Sequence, residues 1–514
     1  MRKKLKFFLV VVILLFVGVF LGMNYVLNSD PGSYFGKRYL DRKYKNESWY
    51  KFNNFFDYKG YGFSKPSAKD AMIIDFSDND LRYNDSVIKL ALAKGHFADD
   101  LKNWRKTDLI YKKKNYAIQY KFHGTDLFVY GNNRFSLKVK SKKSIDGAKR
   151  FNLISGLVEG SFINIFLSQQ AYDLNLIGPD PGKILLANVN GKVEDFWYTR
   201  DVYEDYIASQ FSITKYQIFK NNDNWDRNGF GHFSELAQFY YYIDGENTDA
   251  PEDVANYAKY KDFQLDVNQG DLSKIDQEYM GRFLALLYFF YDPHYVYGDN
   301  NRLLYDYDKD IVYPVARNEG LYRRVGDVLN FDEGLYVYRG ESATQTLYKR
   351  AVCNDSIKLL RDQELYKIIS NRDKMIGQLD SVYQKSYELH KYYNISFIDL
   401  RYNYKKLRKL IGFNCGMIEK YLNNGEVVIA YEKDKDQLTV ASDYRVPLKM
   451  INSVTAEEHV FRGVGFSFKE GKISTDFIEN QILLKSKVRK DQLTFINTVT
   501  GDTIPSKSII FNHF

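Results

Sequence analysis

An acid and an amide, spaced so that they could share one ligand, mark the most informative part of this sequence. Asp292 follows an apolar run, Asn300 comes eight residues later, and a second polar cluster ends at Asn318. Pro293 restricts the chain after Asp292, so a loop could return the Asn300 amide oxygen to a metal ion held by the Asp292 carboxylate. His294 lies two residues after Asp292. Asp-Pro alone is also a common loop cap, and a histidine among tyrosines is also typical of a hydrogen-bonded core residue.

Lysines upstream of this group are candidates for binding phosphate. Lys138 and Lys140 alternate with Leu137 and Val139, which predicts a strand that carries both lysines on one face. Lys149 follows in the next strand-like segment. An ammonium group suits a phosphate as a point charge, but a face of this kind could equally be solvated.

Strands and helices must position these residues. We predict strands near 71–76, 104–111, 116–122, 134–140 and 184–189, where apolar and polar residues alternate or β-branched residues cluster. Apolar residues at helical spacing predict helices at 85–94, 161–177 and 278–291, and over most of 351–424. From residue 426 onward, short alternating runs favour strands.

Several of these segments, taken in order, resemble the spore coat protein H-like kinases, the CotH family. The resemblance covers about residues 71–335. It rests on K-F-H-G at 121–124, S-L-K-V-K at 136–140, I-D-G-A-K-R-F-N-L at 145–153, N-G at 190–191 followed by Asp201, D-P-H at 292–294, N-N-R at 300–302 and P-V-A-R-N at 314–318.

The resemblance implies an α+β fold with an atypical protein-kinase-like core, built of a mixed sheet and helices. It implies transfer of phosphate from a nucleotide to a protein, with ATP and Mg or Mn as cofactors. The residue roles that it implies are catalysis for Asp292 and His294, cofactor binding for Lys138, Lys149 and Asp201, and metal binding for Asn300 and Asn318.

Asn318 departs from the family pattern, which has an aspartate at that position. An amide supplies a neutral oxygen, whereas magnesium prefers carboxylates and phosphates. The alternative to an active enzyme is therefore a degenerate pseudokinase that serves as a binding or scaffold protein of the cell envelope. A purely structural surface protein is a third reading.

The amino terminus has the features of a signal anchor. Four basic residues precede an uncharged run over residues 7–23. At about 1.5 Å per helical residue, this run of about 17 residues just reaches across a bilayer core. No small-residue cleavage pattern follows it, although a cleaved signal peptide is the alternative. We therefore expect a transmembrane segment, membrane attachment through it, and an extracytoplasmic location for the remainder of the chain.

The predicted domains are a signal anchor (1–23), a linker (24–70), a CotH kinase-like domain (71–424) and a β-rich module (425–514). The CotH-like domain divides into a core (71–335) and a helical part (336–424). The net charge of +8 is mild for 514 residues, which favours a solvated surface near an anionic membrane, so we expect no nucleic-acid partner. Cys353 and Cys415 could pair or remain buried free thiols.

Overall fold

A computed structural model of the chain describes Leu15 and the ranges 71–94, 101–123, 136–155, 161–178, 180–189, 192–200, 211–221, 239–242, 251–291, 301–316, 325, 331–334, 343–393, 397–432, 434–469, 472–485 and 487–512. Residues 67–389 and 403–514 form one compact unit, to which the elements that position the site belong. Residues 1–66 and 390–402 form another.

Seven strands close into a barrel in the amino-terminal part of the first unit. The strands are β1 (Met72–Ile74), β2 (Arg105–Tyr111), β3 (Lys114–Phe122), β4 (Leu137–Ile145), β5 (Ala148–Ser155), β6 (Lys183–Val189) and β7 (Lys192–Arg200). Their order around the ring is β1-β2-β3-β4-β5-β7-β6. The ring closes where β6 pairs with β1 in parallel, and the other neighbours pair antiparallel.

Alternating side chains fill the barrel. Along β4, Leu137 and Val139 are buried, while Lys138 and Lys140 are partly exposed, which confirms the predicted alternation. Inward side chains from all seven strands form one apolar cluster, to which helix α1 (Asp78–Lys94) also contributes. The core thus lies inside the barrel, and Lys138 lies on its outer surface.

Helices and a second sheet follow the barrel along the chain. The helices are α2 (Ser161–Asp173), α3 (Pro251–Gln269), α4 (Gln277–Phe290), α5 (Phe331–Gly334), α6 (Ala343–Cys353), α7 (Asp355–Ser370), α8 (Arg372–Tyr393) and α9 (Phe397–Asn423). The sheet contains β8 (Tyr216–Asn221), β9 (Phe239–Tyr242), β10 (Arg302–Asp306) and β11 (Ile311–Pro314), in the order β11-β10-β8-β9. Helix α4 is buried along most of its length because it is apolar on nearly every side.

Short strands make up the carboxy-terminal region. They are β12 (Val427–Glu432), β13 (Gln437–Ser442), β14 (Leu448–Asn452), β15 (Glu458–Phe461), β16 (Val464–Lys469), β17 (Lys472–Phe477), β18 (Glu479–Leu483), β19 (Leu493–Asn497) and β20 (Ile509–Asn512). They form sheets in the orders β18-β13-β12-β20, β15-β14-β19 and β16-β17. The Asn497 side-chain amide donates to the Leu422 carbonyl at 2.7 Å, which ties these strands to α9.

The barrel corrects the expected fold class. We expected a protein-kinase-like core built on a mixed sheet, and this expectation is wrong because the amino-terminal strands form a closed ring. The reason is the pairing of β1 with β6, which joins Met72 to Ala187. Local alternation specifies strands, but it does not specify which strands pair across such a sequence separation.

The expected transmembrane segment is also corrected. Within the described ranges, none of the helices has the length and apolar character needed to span a bilayer. The expected membrane attachment through an amino-terminal helix therefore finds no support among the described helices. Apart from Leu15, the segment 7–23 itself lies outside the described residues.

Close packing of α4 against α7 depends on Gly281. A Cβ atom at this position would lie 2.8 Å from Leu360 Cβ and 3.2 Å from the backbone nitrogen of Arg361. We expect Gly281→Ala to lower the free energy of unfolding by about 1–3 kcal/mol, because the helices must move apart. Denaturant titration measures this. The matched control is Gly377→Ala in α8, where no atom of the described residues lies within 4 Å of the added Cβ. This control should instead raise the free energy of unfolding by about 0.5–1 kcal/mol. Equal stability of Gly281→Ala and the unchanged chain would contradict the packing argument.

Candidate functional site

Three of the residues predicted to form a site, Lys138, Lys140 and Lys149, lie within the described chain. The others fall outside the described residues: Asp201, Asp292, His294, Asn300 and Asn318. Their roles stay predictions. The described residues beside them show where the chain enters each of those segments.

Lys138 belongs to a row of polar side chains across the outer surface of the barrel. Lys121, Lys138, Asn152 and Thr199 lie directly opposite one another on β3, β4, β5 and β7. We call these four residues the Lys138 row. Lys121 and Lys138 are partly exposed, whereas Asn152 and Thr199 are buried. The row thus runs from the solvent into the protein, with its two cations at the solvent end.

Asn152 carries an unsatisfied acceptor. The residue is 6% exposed, and its Oδ1 atom is buried without a hydrogen-bond partner among the described residues. A buried polar atom without a partner costs about 1–3 kcal/mol, so such atoms are uncommon unless a ligand or water completes them. Thr199, the next residue in the row, donates its hydroxyl to the Asp180 carbonyl at 2.7 Å. A donor from a bound molecule would satisfy Asn152 beside the Lys138 cation.

Lys149 occupies a different part of the barrel surface. It is exposed and lies on β5 opposite an irregularity in β4, between the paired residues Lys140–Arg150 and Ile145–Ala148. Asn152, which faces Lys138, is three residues farther along β5, or about 10 Å at strand rise. The structure therefore brings Lys138, and not Lys149, next to the buried acceptor.

A short segment links the Lys138 row to the end of β11. The Asp180 carbonyl accepts a hydrogen bond from the Thr199 hydroxyl. Three residues earlier, the Ile177 carbonyl accepts a hydrogen bond from the Ala316 N–H at 2.7 Å. The hydroxyl of Tyr279 in α4 accepts the Ile177 N–H at 2.8 Å and donates to the Pro314 carbonyl at 2.7 Å. The chain therefore leaves β11 toward Asn318 from a fixed point near the buried end of the row.

The backbone is unusual immediately before Asp292. Tyr291 ends α4 in the left-handed region, with φ 48° and ψ 48°, and its N–H donates to the Leu287 and Tyr288 carbonyls. Glycine is the common residue for this helix cap, and a bulky side chain there costs about 1–2 kcal/mol. The ring of Tyr291 stacks beside Phe331 at 6.3 Å between centroids. Strained residues of this kind are concentrated near functional sites, so the left-handed backbone of Tyr291 favours a functional role for the neighbouring Asp292.

Asn301 is a polar residue that sequence reasoning did not single out. It is fully buried at the start of β10, where its Oδ1 accepts the Tyr348 hydroxyl at 2.7 Å. Within the part of the chain that the structure describes, its Nδ2 atom has no hydrogen-bond partner. The neighbouring Asn300 drew attention in the N-N-R motif, but nothing in the sequence distinguishes which amide turns inward. Asn301 fixes the entry to β10 and does not offer its oxygen to a metal.

A second polar group lies deeper, between the helices. The guanidinium of Arg361 in α7 donates to Asp332, and to Asp362 Oδ1 at 2.9 and 2.6 Å. Lys358 donates to Asp362 Oδ2 at 2.7 Å. The Tyr421 hydroxyl accepts from Arg361 at 2.6 Å and approaches Asp332 Oδ2 at 3.3 Å. We call Asp332, Lys358, Arg361 and Asp362 the buried ion cluster.

Electrostatics keep the buried ion cluster charged. Burial alone would raise the pKa of Asp332, but Arg361 and Lys358 lower that pKa below its usual range. Burial likewise opposes the charge on Arg361, and Asp332 and Asp362 raise the pKa of Arg361 well above its ordinary value. Asp332, Arg361 and Asp362 have no exposed surface. The cluster is therefore structural, since its two cations and two carboxylates neutralise one another.

Neither a metal centre nor a disulfide is seen in the described part of the chain. Within it, no group of three or more His, Cys, Asp or Glu side chains is placed to hold a metal ion. Cys353 and Cys415 are both free thiols. Burial raises the pKa of Cys353 to about 12 and that of Cys415 to about 11, so both stay protonated near neutral pH. A paired disulfide, one of the two expected states, is not formed.

Comparison with known proteins adds no assignment to this geometry. No protein-family model matches the chain, and no curated protein matches it.

Proposed function

We propose that this chain binds a nucleotide and transfers its terminal phosphate to a protein, as the resemblance to the CotH family implies. The observation that carries the proposal is the Lys138 row, in which two cations lead to the unsatisfied buried oxygen of Asn152. A nucleotide combines phosphates for the lysines with hydroxyl and amino donors for the Asn152 oxygen. The basic flank and apolar run at the amino terminus support a location outside the cytoplasm.

The chemistry divides among residues in the following way. Lys138 neutralises phosphate charge, and Asp292 accepts the proton of the attacking hydroxyl. A bond forms from that oxygen to the terminal phosphorus while the bond to the bridging oxygen breaks, and the nucleoside diphosphate leaves. Asn300 and Asn318 would hold a Mg or Mn ion, which offsets phosphate charge when bound. His294 orients Asp292.

A second candidate function is nucleotide or partner binding without phosphoryl transfer. The specific observation that favours it is Asn318, an amide where the family has a metal-binding aspartate. Loss of a formal negative charge would weaken the hold on a divalent ion that offsets phosphate charge. In this case the chain would act as a pseudokinase that binds or scaffolds envelope proteins.

Lys138→Met tests the proposed site directly. We expect the full chain to bind ADP or ATP and the variant to bind about tenfold more weakly or worse, because a contact to a charged group contributes about 1.5–3 kcal/mol. Thermal-shift titrations with each nucleotide, with and without Mg or Mn, measure the affinity. Lys485→Met, an exposed lysine after β18, is the matched control and should bind as the unchanged chain does. Equal affinity in the two variants would remove Lys138 from the site, and absence of nucleotide binding in the unchanged chain would contradict the proposed function itself.

A further inference from the structure

Positive charge is concentrated on one part of the barrel. Between residues 101 and 123 seven Lys or Arg residues accompany one Asp or Glu, and between 136 and 155 six accompany one. The entire chain carries only +8. The segments that carry strands β2 to β5 therefore have a larger net positive charge than the whole molecule. The net charge of the full sequence does not reveal this concentration.

Much of this charge gathers at one rim of the barrel. The β2–β3 turn contributes Lys112, Lys113 and Lys114, and the irregular part of β4 contributes Lys142 and Lys143. These five lysines are exposed, and we call them the lysine rim. The turns lie side by side, because Lys112 Nζ approaches the Asp146 carboxylate of the β4–β5 turn at 3.4 Å. Separate segments thus present their lysines on a single edge.

The β2–β3 turn carries lysine where the backbone disfavours it. Lys112 and Lys113 form the two-residue loop between the paired Tyr111 and Lys114, with φ values of 49° and 63°. Such turns strongly favour Asn-Gly or Asp-Gly because both residues need positive φ. The adjacent β4–β5 turn follows that rule with Asp146 at φ 54° and Gly147 at φ 89°. The lysine pair thus keeps two charges at the tip at a conformational cost.

The composition of the rim discriminates between classes of partner. Lysine is depleted in the cores of protein–protein interfaces, which instead use aromatic and apolar contacts. A lysine ammonium is a compact point charge that suits a phosphate without demanding one geometry. A linear polymer can follow an edge formed by several strands and meet each charge in turn. We propose that the lysine rim binds a linear polymer that bears phosphate groups.

This binding is separate from the proposed nucleotide site, since the rim includes none of the Lys138 row. The test variant is Lys113→Glu, Lys114→Glu, Lys142→Glu and Lys143→Glu in the full chain. Its control carries the same charge change at four exposed lysines of the carboxy-terminal region, namely Lys485, Lys487, Lys490 and Lys507. A fluorescent 20-mer of deoxythymidylate is the probe, with inorganic polyphosphate, poly-glutamate and phosphatidylglycerol vesicles as competitors.

We expect the unchanged chain to bind the single-stranded oligonucleotide, with affinity that falls steeply between 50 and 200 mM salt, as the release of roughly three to four counterions by five lysines requires. The rim variant should bind at least about tenfold more weakly and show a shallower salt dependence, and the control should stay within about twofold. If polyphosphate competes as strongly as unlabelled oligonucleotide, the rim recognises phosphate alone. If polyphosphate competes more weakly than the oligonucleotide, the phosphate polymer that the rim binds is a nucleic acid. Equal losses in the two variants would overturn the proposal. Stronger competition by poly-glutamate or by vesicles than by polyphosphate would overturn it in favour of an acidic protein or a membrane.

The strained turn gives an independent variant, Lys112→Asn with Lys113→Gly. Relief of the backbone should raise Tm by about 2 °C, whereas loss of two charges should weaken polymer binding about threefold or more. The combination of higher stability and lower affinity distinguishes a binding turn from one that merely tolerates lysine. A higher Tm with unchanged affinity would contradict a role for this turn in binding.

Discussion

Replacement of Arg361 by methionine is expected to lower the free energy of unfolding by about 3–5 kcal/mol, because the change leaves buried carboxylates short of a partner. Arg361 donates to both Asp332 and Asp362, and all three side chains are without exposed surface. Lys358 pairs with Asp362 at 2.7 Å, and this contact should persist in the variant. Asp332 would then keep, as its cationic neighbours among the described residues, Lys358 and the more distant Arg445, which is 3.9 Å away. The loss should therefore fall mainly on Asp332.

Urea titration at pH 7 measures this loss in full. The pKa of Asp332 is lowered in the folded protein, so its ion pairs stabilise the fold above the unfolded pKa of about 3.9 and stop doing so as the pH falls through the lower folded value. Arg408→Met is the matched control, since the Arg408–Asp380 pair, 3.1 Å apart, is largely exposed and should contribute about 0–1 kcal/mol. Addition of Asp332→Asn to Arg361→Met should recover part of the stability. A loss below about 1 kcal/mol for Arg361→Met would contradict the account of the cluster.

Asp292→Asn is expected to reduce phosphoryl transfer by about 10²–10⁴-fold if the proposed function holds, because the amide cannot accept the hydroxyl proton. The replacement is nearly isosteric, so Tm should stay close to that of the unchanged chain. Asp476→Asn, at an exposed carboxylate of β17, is the control and should transfer phosphate normally. Transfer of labelled phosphate from ATP to the chain itself and to casein provides the readout. Transfer that survives Asp292→Asn would show that another residue is the acceptor of the proton.

Asn318→Asp completes this set, because it adds the charge that the family pattern has at that position. Metal-dependent nucleotide affinity should rise roughly tenfold, or about 1.4 kcal/mol, since the carboxylate is closer to the ligand that Mg prefers. Affinity without metal should change little. Strong nucleotide binding without transfer in either protein would favour the pseudokinase, and unchanged affinity in metal would place Asn318 away from the metal.

Local patterns in the sequence predicted the elements well where one face is apolar. The alternation around Lys138 gave the correct outward face, and the apolar run before Asp292 gave α4, which spans Gln277–Phe290. Helix α1 begins at Asp78, earlier than the expected 85, because its acidic first turn is polar rather than apolar. Such polar ends carry little periodicity, which explains why the boundary was wrong.

Features that depend on residues far apart in the sequence could not be predicted from local patterns. The parallel seam between β1 and β6 pairs residues that local alternation treats separately. Arg361 and Asp362 have the appearance of a solvated pair on an amphipathic helix, and only the packing of α4, α5 and α9 around them makes them interior residues. The unsatisfied Asn152 oxygen is likewise visible only after β4, β5 and β7 are placed side by side.

Arg445, between β13 and β14, has a consequence for how this protein can change over time. Its carbonyl accepts a hydrogen bond from the Lys358 ammonium at 2.6 Å. The carboxy-terminal region therefore supplies a hydrogen-bond acceptor to a charged side chain of α7. A recombination event near residue 425 would separate that lysine from its carbonyl and expose the cluster to unmatched neighbours. Exchange of the strands alone for those of an unrelated protein would therefore leave a buried ammonium without this acceptor, which selects for inheritance of the strands together with the helices.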